Sequence, residues 1–101
     1  MQNDKFFRML GLAVRAGSVA FGEGAVRDSI RSKVAKMVIV SQDGSDNTKK
    51  KFSDNCRFYS VPYFECSNRF DLGKATGRSF AVVMAVTNDG LAKGIIDILQ
   101  N

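Results

Sequence analysis

Four consecutive apolar residues, Met37-Val38-Ile39-Val40, stand between Lys36 and the turn-forming run Ser41-Gln42-Asp43-Gly44. The run is too short for a helix and lacks the alternation of a strand with one wet face, so it reads as a strand covered on both sides. Such a strand requires helices above and below its sheet. The rest of the chain has to supply them.

Asn3 or Asp4 can cap a first helix whose apolar residues Phe6, Leu10, Ala13 and Phe7, Val14 recur at helical spacing, with Gly17 as its stop. Ser18 to Phe21 reads as a brief strand or an extended lead-in. From Gly22 to about Lys33 the pattern is helical again, with Ala25, Val26, Ser29 and Ile30 on one side and Arg27, Asp28 and Arg31 on the other. Asp46 or Asn47 can cap a third helix through Lys49-Lys50-Lys51 and Phe52, with Cys56 one turn later on the buried side.

Val61 to Phe64 predicts a short strand whose Pro62 needs a position without a ladder donor, and Ser67 or Asn68 predicts the cap of a short helix ending near Gly73 or Gly77. Ser79 to Val86 is the longest strand candidate, closed by Thr87-Asn88-Asp89. Leu91, Ile95, Ile98 and Ala92, Ile96, Leu99 give a last helix with two adjoining apolar stripes. Helices and strands alternate without a repeat or a linker. The expectation is an α/β chain, a three-layer α/β/α sandwich around a small four-stranded mixed sheet, with residues 1–101 as a single domain.

The net charge of +5 and a pI near 9.5 favour a partner that carries phosphates. Histidine is absent, which removes most general-base and triad arrangements as well as the usual zinc spacings; Cys56 and Cys66 stand too far apart for a metal knuckle and read as reduced thiols. No catalytic residue, metal ligand or cofactor is expected. The polar start, Met1 to Lys5, lacks a charged-then-apolar leader, and no apolar run approaches the roughly 18 residues of a membrane span, so a soluble, cytoplasmic protein is expected.

Gly22-Glu23-Gly24 opens the second helix and its basic run, Arg27, Arg31, Lys33 and Lys36, opposed only by Asp28. A dinucleotide fingerprint fails there because its third glycine position falls on Arg27, and a P-loop fails because no Lys-Ser or Lys-Thr follows the second glycine. Two readings stay open: turn geometry alone, or a permissive helix start whose amides and basic side chains receive a polyanion. The lysines of the third helix read first as a solvated face.

Several stretches, in the same order and at the same spacing, resemble the kink-turn-binding ribosomal protein family of archaea and eukaryotes. They are Gly22 with its helix, Ala35 to Asp43, Asn47 to Lys51, and Leu72-Gly73-Lys74-Ala75-Thr76-Gly77-Arg78. Leu10 to Arg15, Cys56 to Tyr59 and Val86 to Gly90 point within it to the small bacterial YlxQ-like branch. The resemblance covers nearly the whole chain.

The resemblance implies a ribosome-associated, non-catalytic monomer that binds a kinked RNA stem or a ribosomal RNA element, with ribosomal proteins as further partners. Gly22, Glu23 and Gly24 would permit close backbone approach, and Arg27, Arg31, Lys33 and Lys36 would contact phosphates. Asn68, Arg69 and Phe70 would form a second lip, Arg69 on a phosphate and Phe70 stacked on a splayed base. The alternative for Phe70 is a core position in its short helix. Where the family carries Gly-x-Asn-Glu-x-x-Lys, this chain has Gly24 for the asparagine, Ala25 for the glutamate and Asp28 for the lysine. Losing such readers forfeits about 1 to 3 kcal/mol apiece. Arg27 restores charge but points about 100° away around the helix. The departures leave a second implication open, a protein-interaction module of the same fold.

Overall fold

The computed structural model describes the backbone of residues 2–101 and the side chains of residues 4–101. Five helices and four strands alternate: α1 (Gln2–Arg15), β1 (Val19–Phe21), α2 (Glu23–Arg31), β2 (Met37–Val40), α3 (Asp46–Tyr59), β3 (Tyr63–Glu65), α4 (Arg69–Thr76), β4 (Val83–Val86) and α5 (Asp89–Gln100). The sheet runs in the order β1-β4-β2-β3, with β1/β4 and β4/β2 antiparallel and β2/β3 parallel. It is a small mixed sheet between two helical layers, as the alternation of the sequence predicts.

Every residue of β2 and β4 is buried, because successive side chains enter opposite layers. Met37, Ile39, Met84 and Val86 join Phe6, Leu10, Leu72 and Ile95 under α1, α4 and α5. Val38, Val40, Val83 and Ala85 join Val26, Ile30, Phe52 and Cys56 under α2 and α3. Burial pushes the thiols of Cys56 and Cys66 up to about 11, so both stay protonated at neutral pH. Both are free cysteines.

Several boundaries differ from those read off the sequence. Asp4 lies inside the first turn of α1 rather than ahead of it, and the side chain of Asn3 lies outside the described residues. Ser45, not Asp46 or Asn47, caps α3, its hydroxyl accepting from the Thr48 amide at 3.1 Å. β3 starts two residues later and ends one residue later than expected, leaving Pro62 outside it with its carbonyl accepting from the Val38 amide.

The largest change is in β4, which begins at Val83 rather than Ser79. Gly73 accounts for it: a Cβ there would lie 2.6 Å from the Cα of Phe80, 2.7 Å from its nitrogen and 2.9 Å from the Arg78 carbonyl oxygen. Glycine lets the Arg78–Phe80 segment lie directly on α4, where the Ala81 amide donates to the Arg69 carbonyl at 2.9 Å. The apolar run therefore divides between a loop that crosses α4 and a strand that enters the sheet.

Candidate nucleic-acid interface

Backbone hydrogen bonds gather four segments at one end of the sheet. The Gly22 amide donates to the Val83 carbonyl at 3.2 Å, Ser41 to Val82 at 2.8 Å, and Ala81 to Arg69 at 2.9 Å. The starts of α2 and α4, the turn after β2 and the lead-in to β4 thus share one edge.

Gly22 takes φ 89° and ψ 159°, a region open in practice to glycine alone, and turns the chain from β1 into α2. No side chain caps α2, so the amides of its first turn remain open to an acceptor from outside. Gly24, Ala25 and Asp28 are exposed on the helix, and a Cβ at Gly24 would meet nothing within 4 Å. Arg27 and Arg31 are exposed one turn apart on the same helix.

Glu23 is held from α3. Ser45 Oγ donates to Thr48 Oγ1 at 3.0 Å, Thr48 Oγ1 donates to Glu23 Oε2 at 3.0 Å, and Lys51 Nζ donates to Glu23 Oε1 at 2.7 Å. The Lys51 hydrogen bond first, and the Thr48 hydrogen bond next, hold the Glu23 carboxyl below its ordinary range. Lys51 thus belongs to the edge, whereas Lys49 pairs with Glu65 and Lys50 with Asp54.

Lys33 and Lys36 do not join this edge. α2 ends at Arg31; Lys33 adopts φ 65°, and the amides of Val34 and Ala35 both fold back onto the Ser29 carbonyl at 2.9 Å. Lys36 donates its amide to Val86 and its ammonium lies 3.9 Å from Asp89, at the opposite end of β4 from Gly22. About 14 Å of helix separates the two ends. Basic spacing along the sequence continues past the point where the helix stops.

The second lip is differently built. Asn68 Oδ1 caps α4 by accepting from the amides of Phe70 at 3.0 Å and Asp71 at 2.9 Å, and its Nδ2 donates to Asp71 Oδ2 at 3.0 Å. Arg69 is committed to Asp43: Nε donates to Oδ2 at 3.3 Å, Nη2 to the backbone oxygen at 2.8 Å, and its amide to Oδ1 at 3.1 Å. Ser41 beside it, and after it Arg69, hold the Asp43 carboxyl below its usual range, although Ser41 Oγ itself makes no hydrogen bond of ordinary length. Arg69 therefore fastens the turn after β2 to α4. Phe70 is 66% exposed, which excludes the core position and leaves its ring free to stack.

Between the start of α2 and the loop before β4 runs a groove of about 290 Å³ lined by Phe21, Gly22, Glu23, Arg78, Phe80 and Val83 among others. The Arg78 guanidinium carbon lies 3.8 Å from the centroid of the Phe21 ring. Phe80 is 53% exposed. Neither Phe21, Arg78 nor Phe80 is recognisable as a site residue from spacing, since Phe80 sits in a run with strand character; the one signal is Gly77-Arg78 ending the motif before it.

Known proteins share this architecture. Residues 4–96 match the model of the ribosomal protein L7Ae/L30e/S12e/Gadd45 family. The RNA-binding protein YlxQ of Bacillus subtilis (strain 168) is 42% identical over 100 residues, covering 99% of this chain and 100% of the relative. The RNA-binding protein YlxQ of Enterococcus faecium is 34% identical over 96 residues, covering 95% and 92%. A solved structure of a protein with unknown function from Bacillus halodurans C superimposes with a TM-score of 0.94 at 33% identity, covering 96% of this chain and 98% of that one. The Giardia lamblia 15.5kD RNA binding protein shares the fold, with a TM-score of 0.82 at 17% identity over 98% of this chain and 85% of that one. With the family model spanning nearly its whole length and two YlxQ relatives aligned over most of theirs, the chain belongs to the L7Ae/L30e/S12e/Gadd45 family, in its YlxQ-like branch.

Proposed function

We propose that residues 1–101 form one domain that binds structured RNA, at a kinked, internally looped stem or a ribosomal RNA element, as a non-catalytic monomer in the cytoplasm. The observation that carries this reading is the edge itself: an uncapped helix start at Gly22 with exposed Arg27 and Arg31 following along α2, exposed Phe70 in the first turn of α4, and exposed Phe80 on the loop before β4. Irregular RNA is recognised where bases splay from the A-form stack, and a surface of open amides, arginines and free aromatic rings matches that target. That both YlxQ relatives are named RNA-binding proteins supports it. Among the described residues no helix is long and apolar enough to cross a membrane.

Gly22, Glu23 and Gly24 form the approach point, Arg27 and Arg31 contact phosphates, and Phe70 stacks, while Asn68 and Arg69 hold the second lip in place. Replacing Arg27 and Arg31 together by glutamate weakens binding to a kinked hairpin and reduces the salt slope by roughly one for each phosphate left without its arginine. Fluorescence anisotropy across a salt series measures both; an unchanged slope moves the site elsewhere.

The Gly24, Ala25 and Asp28 substitutions favour one second reading, a module that docks on a ribosomal protein with the fold retained and RNA readers lost. Affinity capture before and after ribonuclease treatment separates the two. A partner that survives digestion favours the protein contact.

A further inference from the structure

We propose that the end of the molecule opposite Gly22, where α2 and α3 finish, is a docking site for an acidic, partly apolar peptide segment of a partner protein. A cavity of about 240 Å³ lies there, lined by Lys33, Lys36, Tyr59, Ser60 and Pro62 among others. Two turns build it: Lys33 at φ 65° follows α2 and Ser60 at φ 59° follows α3, both left-handed without being glycine. Such conformations cost about 1 to 3 kcal/mol each and persist only where the surroundings enforce them.

Apolar side chains flank the lysines without being covered. Val34, between Lys33 and Ala35, is 47% exposed, and Phe58, beside Tyr59, is 80% exposed. The Phe58 ring meets that of Tyr59 edge-on, with centroids 4.9 Å apart. Phe70 and Phe80 belong to the RNA edge; Val34 and Phe58 form a second exposed patch away from it. The charge at this patch calls for an anion. No acidic residue lines the cavity, and Lys33 makes no ion pair among the described residues. Lys36 faces Asp89 only at 3.9 Å, and Arg57 faces Asp54 at 3.8 Å while Asp54 also holds Lys50 at 3.4 Å. Exposed pairs of this kind are weak enough for an incoming carboxylate to replace.

A peptide fits this mixture better than a nucleic acid. Two helices end here, and the negative poles of their dipoles oppose a chain that carries a charge on every nucleotide, whereas carbonyls at helix ends are acceptors for peptide amides. The aliphatic part of the lining, Ile30, Val61 and Pro62, suits a leucine or phenylalanine side chain rather than a stacked base. Carboxylates on either side of that residue would pair with Lys33 and Lys36. The length of α2, about 14 Å, separates this site from Gly22, so it does not depend on the RNA-binding reading and leaves room for both ligands at once.

Fluorescence anisotropy of the full chain at physiological salt tests the site with three labelled probes: the peptide Asp-Glu-Leu-Asp-Glu-Phe-Asp-Glu, its counterpart with every acid replaced by its amide, and a kinked RNA hairpin. The acidic peptide should bind roughly tenfold more tightly than the neutral one. Lys33→Gln with Lys36→Gln should remove that advantage, and Lys33→Arg with Lys36→Arg should keep it. Phe58→Ala, at an exposed position, should weaken the acidic peptide roughly fivefold. All three variants should retain the wild-type salt slope for the hairpin. An acidic peptide bound no better than the neutral one, or bound equally well by the glutamine variant, overturns the site. A hairpin salt slope that falls in the glutamine variant assigns the patch to RNA and overturns the peptide.

Discussion

The starts of α2 and α4 face the same edge and are built on opposite principles. At α2 the cap position is a glycine, no side chain bonds the first-turn amides, and the neighbouring carboxylate is gripped from α3. At α4 the cap is an asparagine that satisfies two amides, and the following arginine is fastened to Asp43. One lip keeps its hydrogen-bonding groups for a ligand. The other uses them internally, and what it offers outward is the Phe70 ring. Polar residues near a site are therefore not equivalent: those that are already satisfied set geometry, and those left open set recognition.

The comparison can be broken most forcefully at Gly73, the residue that lets the Arg78–Phe80 segment rest on α4. Gly73→Ala places a methyl group within 3 Å of the Phe80 and Arg78 backbone, and overpacking of that kind costs about 1 to 3 kcal/mol. Denaturant unfolding should register the loss, and an unchanged midpoint would show that the two segments separate without cost. Asn68→Ala removes the α4 cap and should destabilise the protein by about 1 kcal/mol. Its RNA affinity should fall only through the loosened lip, less than for the Arg27/Arg31 pair; a larger fall would mean that Asn68 touches the ligand directly.

The smallest effect concerns the open lip. Glu23 has a folded-state pKa lowered from its ordinary 4.5, so its pairing with Lys51 and Thr48 stabilises the fold fully above that value and ceases to do so as pH falls through the lowered one. The Glu23 side chain is nearly half exposed, so solvent screening keeps the effect modest. Thermal unfolding of wild type and Glu23→Gln should differ slightly at neutral pH and converge in acid. Divergence towards acid would reverse the sign and remove Lys51 as the dominant partner.

Much of the fold is legible in the sequence because its signals are local. The apolar run of β2 and the helical spacing of α1 and α5 each have one reading in the chain's immediate neighbourhood. Phe80 illustrates the opposite case: its run has strand character, and only the approach of Gly73 across the fold takes it out of the sheet. Lys33 leaves the helix that its spacing predicts because a non-glycine residue in a left-handed turn leaves no mark in the sequence. At the site, Gly22 is readable from its residue type, whereas the role of Arg69 depends on Asp43, 26 positions away. Exposure decides between the two readings of Phe70, and exposure is a property of the packed molecule.

The relay from Ser45 through Thr48 to Glu23 has a dynamic consequence. Helix ends ordinarily fray one at a time, each on its own local equilibrium. Here unwinding the first turn of α3 would take away the hydroxyl that steadies α2, and a ligand drawn to Glu23 would resist that unwinding from the other side. The beginnings of two helices separated by more than twenty residues of chain are thus tied together by one side-chain relay.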